Sequence, residues 1–65
     1  MRKLLWRIEY VWRLMRSPWS LAFSVREAWQ ESGASWDVAD DWRGDDPMPN
    51  PAEALYDDQQ NWIDA

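Results

Sequence analysis

The sequence predicts an all-α fold: one small domain of three to four short helices, with a helix-turn-helix hairpin in its first half. Three observations carry this reading. Apolar residues recur at helical spacing in each segment that Gly and Pro leave uninterrupted. No stretch alternates apolar with polar residues for long enough to make a strand, and β-branched residues are sparse. Helix start and stop signals at Ser17-Pro18, Ser32-Gly33, Gly44 and Asn50-Pro51 divide the chain into helix-length pieces. Sixty-five residues allow one domain, spanning 1–65, and a chain this short buries only about 60% of its unfolded surface.

The first helix is expected over about residues 2–16, a run without Gly or Pro. At 100° per residue Leu4, Leu5, Ile8, Val11, Trp12 and Met15 fall in one arc of about 120°, the expected core face. Trp6, Tyr10 and Leu14 form a second, mixed arc with Lys3 and Arg7. Ser17-Pro18 resets the chain, because Pro disfavours helix at the residue before it and suits the first position of a new one. A second helix is therefore expected over about 18–31, capped by Ser17, with Leu21, Val25, Ala28 and Trp29 on one stripe and Ala22 beside it. Ser32-Gly33 is expected to end it. A short third helix is expected from Ser35 as cap to Gly44, with Asp37 at its positive end. Prolines at 47, 49 and 51 break any continuation. Asn50-Pro51-Ala52-Glu53 then combines an N-cap, Pro at N1 and a carboxylate at N3. A last helix is expected over 51–63, with Ala52, Leu55, Tyr56, Gln59, Trp62 and Ile63 at helical spacing.

Composition narrows the chemistry. The chain has no Cys and no His, which removes disulfides, thiolate nucleophiles, Cys/His zinc sites and imidazole bases. The net charge of −5 hides a division. Residues 1–30 carry six basic against two acidic side chains, net +4, whereas residues 31–65 carry Arg43 against ten acids, net −9. The domain thus reads as a basic amphipathic half, 1–32, and an acidic half, 33–65. Seven Trp in 65 residues stand in for the aliphatic core that the length denies, since each buries a large area.

The individual motifs are weak. Arg43-Gly44-Asp45 spells an integrin-recognition tripeptide but reads as a helix end with a glycine cap. Asp40, Asp41, Asp45 and Asp46 lack the spacing of a calcium-binding loop, so no metal site and no cofactor is expected. Carboxylates without a sheltered cleft do not make an acid–base pair, so no enzymatic activity is expected. The first helix could contact nucleic acid through Arg and aromatic rings, but the strongly negative second half opposes it. It could also lie on a membrane surface. The simpler expectation is that its apolar arc supplies the core and its arginines pair with the acidic half, which would leave nothing for a bilayer to bind.

The acidic half then carries the functional expectation. Carboxylates spaced along two helices and a loop, with tryptophans among them, resemble the charge of a nucleic-acid backbone and fit a basic groove. The expected contact residues are Trp36, Asp37, Asp40, Asp41, Trp42, Asp45, Asp46, Asp57 and Asp58, with Trp36 and Trp42 as apolar anchors. The expected partner is a protein with a basic surface, and no direct nucleic acid. In size and charge the chain resembles the small acidic inhibitors that bacteriophages make against host nucleic-acid enzymes, anti-CRISPR proteins among them. The expectation is a non-enzymatic inhibitor or adaptor in the cytoplasm. The alternative is a peripheral membrane protein anchored by residues 1–16. No run of about 20 apolar residues suggests a spanning helix.

Overall fold

Helix α1 forms over Lys3–Met15, where good helix formers run without Gly or Pro. The structure, a computed structural model, describes residues 3–64; Arg2, at the expected helix start, lies outside them. Residues Trp6, Tyr10 and Leu14, spaced i, i+4, i+8, are the buried face of α1. The wider apolar arc expected to be the core faces outward instead: Leu4 is 60% exposed, Leu5 59%, Ile8 49% and Trp12 54%. Val11 and Met15, also assigned to that arc, are half-buried against the core. The inversion has a polar cause. Trp6 Nε1 donates to the Pro49 carbonyl at 2.8 Å, and the Tyr10 hydroxyl donates to the Asp58 carboxylate at 2.5 Å. Rings with polar tips bury large areas and still satisfy those two acceptors, which Leu and Ile cannot do.

The expected helix over 18–31 does not form from its proposed start. Ser17 caps only a single 3₁₀ turn, Pro18–Leu21, its hydroxyl accepting from Trp19 N. The true start lies at Ser24, whose side chain accepts from Glu27 N while the Glu27 carboxylate accepts from Ser24 N, both at 3.2 Å. This reciprocal box satisfies two orphan donors where Ser17 satisfies one. Leu21, expected on the apolar stripe, is therefore left outside the helix and exposed; Val25, on its first turn, and Trp29 are exposed too, and of that stripe Ala28 alone is buried.

Helix α2 then runs over Val25–Arg43, straight through the expected stop. Gly33 does not adopt the left-handed conformation of a cap. It is there for room: a Cβ would stand 2.9 Å from Arg7 Nη2. Arg7 crosses α2 at this point, donating from Nε to the Ser32 hydroxyl at 3.0 Å and from Nη2 to the Trp29 carbonyl at 2.7 Å. Its guanidinium also lies 3.8 Å from the Trp29 ring centroid. Ser35, expected as a cap, is buried in mid-helix, and the expected short helix is the second half of α2. Gly44 ends α2 as expected, with φ of +57°.

Helix α3 spans Pro51–Asp64. Its start is the one expected, with Asn50 Oδ1 accepting from Glu53 N at 2.9 Å. Pro51, Ala54 and Leu55 are its buried residues, whereas Tyr56 and Ile63, on the apolar helical spacing, are exposed.

The fold is all-helical, with three α-helices among the described residues. Its core is Trp6, Tyr10, Leu14, Ala28, Ala54 and Leu55. Two aromatic groups extend it. Trp6 stacks on Tyr10 and meets Trp36 edge-on at 5.2 Å between centroids. Trp62 meets both Trp19 and Phe23 at 5.1 Å, which ties the 3₁₀ turn to the end of α3. The basic and acidic halves scarcely pair. Lys3–Asp37, at 3.6 Å, is the one ion pair between them among the described residues, while Arg13 pairs with Glu9 within α1. Shape, rather than charge, holds the halves together.

Candidate functional site

The carboxyl half of α2 and the middle of α3 diverge to leave a cleft of about 300 Å³. Small residues make it possible: Ser35 and Ala54 are buried, Ala39 is half-buried, and all three line it. Val38 and Trp42, one helical turn apart on α2, stand at its mouth. Trp42 is 83% exposed. Asp57, Asp58 and Asn61 of α3 form the opposite wall, and Pro49 of the connector closes one side.

The carboxylates around this cleft differ in role. Asp58 is half-buried and accepts the Tyr10 hydroxyl, so it belongs as much to the core as to the wall. Asp40 is engaged by Arg43 at 2.8 Å, and Arg43 Nη1 also donates to the Asp46 carbonyl at 2.9 Å. The Arg43-Gly44-Asp45 sequence is accordingly a helix end held by its own arginine. Asp37 pairs with Lys3. Asp41, Asp45, Asp46 and Asp57 are exposed and make no ion pair among the described residues. They leave a field of negative charge on either side of Trp42.

Behind the wall lies a small titratable cluster. Burial, then the hydrogen bond and charge of Asp58, then the charge of Glu31, push the Tyr10 hydroxyl well above its ordinary value of 10.0. The same surroundings raise the Glu31 carboxyl above 4.5, through burial first and the Asp58 charge second. Both shifts act to keep protons on the protein and oppose a second negative charge beside Asp58. No buried side-chain polar atom among the described residues lacks a hydrogen-bond partner.

Of the nine residues expected to contact a partner, the structure gathers Trp42, Asp57 and Asp58 directly around the cleft. Asp40, Asp41, Asp45 and Asp46 follow along the end of α2 and the turn after it. Trp36 turns inward, half-buried against Trp6. Val38, Ala39, Arg43 and Asn61 also line the cleft without having been expected to contact a partner. The signal for the first of them was local, since Val38 and Trp42 stand four residues apart and share a helix face.

Among the described residues no three acidic side chains are grouped to hold a metal ion. No protein-family model, curated protein or solved structure matches the chain.

Proposed function

We propose that the protein is a small non-enzymatic binding protein, an inhibitor or adaptor that docks on the basic surface of a nucleic-acid-binding protein through the α2–α3 cleft. The phage-encoded, anti-CRISPR type of inhibitor is the nearest functional kind. One observation carries the reading. Trp42, the most exposed ring of the chain, stands at the mouth of a cleft with Asp57 on one side and Asp41, Asp45 and Asp46 on the other, none of them in an ion pair among the described residues, while Arg43 of the lining is taken by Asp40. A buried aromatic anchor inside a charged rim is the usual anatomy of a binding hot spot. The helix-turn-helix hairpin of the first half serves on this reading as the scaffold that carries the second half of α2.

The experiment is to measure binding kinetics against the captured partner over a range of salt. Association should slow as salt rises, because screening reaches about 8 Å at physiological ionic strength. Asp41→Lys and Asp57→Lys should lower the association rate further, since both side chains are exposed and carry no structural bond. Trp42→Ala should instead speed dissociation by about thirtyfold or more, the effect of losing roughly 2 kcal/mol at a hot spot. It should leave the circular dichroism spectrum unchanged. Salt-insensitive binding that also survives Trp42→Ala would sink the proposal.

A further inference from the structure

We propose that the outer face of α1 docks on the surface of an anionic lipid bilayer. The inference goes beyond the cleft and uses none of its residues. A helix on the surface of a soluble domain has one apolar face, turned to the core. Helix α1 has two. Trp6, Tyr10 and Leu14 are buried against α2 and α3, and Leu4, Leu5, Ile8 and Trp12 project from the opposite side. Four large apolar side chains within three turns exceed the scattered exposure that any surface shows.

Charge selects the occupant. Residues 3–16 carry Lys3, Arg7, Arg13 and Arg16 against Glu9 alone; Lys3 pairs with Asp37, Arg7 is bonded to Ser32 and Trp29 of α2, and Arg13 pairs with Glu9. Arg16 makes no ion pair among the described residues; its guanidinium lies 4.5 Å from the Trp12 ring centroid, at the edge of the apolar face. Apolar residues flanked by Arg and ending in a Trp suit the boundary between headgroups and acyl chains. A second copy fits less well, because pairing α1 with α1 in either direction sets one basic helix beside another. Glu9 of α1 is paired with Arg13 and Asp37 with Lys3; the other carboxylates belong to α2, α3 and the turn between them, and screening over about 8 Å limits their reach. No helix of the described residues is long and apolar enough to cross a membrane, so α1 would lie along the surface.

Liposome flotation tests this. The full chain should rise with vesicles of phosphatidylcholine and phosphatidylglycerol and stay behind with phosphatidylcholine alone. Ile8→Asn with Trp12→Ser should abolish flotation while the helical circular dichroism persists, since both side chains are outside the core. Should that pair unfold, Leu5→Asn at the same face should give the same loss. Arg16→Glu should reduce flotation without ending it. Trp42→Ala should float like the parent, which separates this surface from the cleft. Three results would overturn the proposal: no flotation with anionic vesicles, flotation untouched by the α1 variants, or a dimer in sedimentation equilibrium that Ile8→Asn dissolves.

Discussion

At the scale of the residue, Tyr10 does the most varied work. It fills the core, stacks on Trp6, and holds the Asp58 carboxylate through its hydroxyl. Tyr10→Phe keeps the ring and removes that one bond, leaving Asp58 half-buried without its donor. The expected loss is about 1.5–3 kcal/mol, the range for a hydrogen bond to a charged group, read as a lower midpoint in urea denaturation. The hydroxyl also imposes a pH dependence. Its folded-state value lies above its unfolded one, so the folded chain binds the proton more tightly. The resulting stability is fully present below about pH 10, the unfolded value, and is lost as the pH climbs past it. Thermal melts across that range should show the parent losing stability faster than Tyr10→Phe. A constant gap between the two would refute the assignment.

At the scale of the element, the length of α2 rests on a contest between propensity and packing at Gly33. Glycine costs about 1 kcal/mol against Ala inside a helix, and Ser32-Gly33 has the form of a stop. The helix continues because Arg7 of α1 ties Ser32 and the Trp29 carbonyl across that turn, in the space a Cβ would take. Gly33→Ala should therefore gain little in the parent, since the methyl displaces a bonded and stacked guanidinium. In an Arg7→Ala background the same change should stabilise by about 1 kcal/mol, the propensity difference alone. Denaturant titration of the four chains closes this double-mutant cycle. A gain of equal size in both backgrounds would mean that Arg7 does not read the glycine.

At the scale of the whole molecule, the chain is short of core. Its accessible surface is 4782 Å², against about 4400 Å² for a compact protein of the same mass. The excess fits the outward apolar face of α1 and the open α2–α3 cleft. Ion pairs add little, since all three among the described residues are open to solvent in whole or in part and surface pairs are worth about 0–1 kcal/mol. The stability expected is about 3–5 kcal/mol, the limit for a single small core, with a cooperative helical melt. Thermal denaturation by circular dichroism measures it. A non-cooperative trace would mean that the isolated chain is not a folded domain.

The sequence by itself determined the fold class, because helical spacing and the lack of strand patterning are properties of short windows. It also determined α1, the Gly44 stop and the Asn50-Pro51 start, where all the interacting groups lie within a few residues of one another. What only the tertiary structure decided was which side of α1 is inside. Two apolar arcs were legible there, and area alone favours the wider one. The choice turned on Pro49 and Asp58, acceptors over forty residues away that only Trp6 and Tyr10 could satisfy. The fate of Gly33 depended likewise on Arg7, a full helix earlier in the chain. The charge pattern around the candidate cleft was legible in the sequence, and so was Trp42 as a Trp among acids; the cleft between α2 and α3 was not. Residues six apart on a helix point to different sides, but that it is Trp36 that turns to the core was decided by Trp6 of α1, which meets it edge-on. Local signals set the elements; contacts distant in sequence chose their faces.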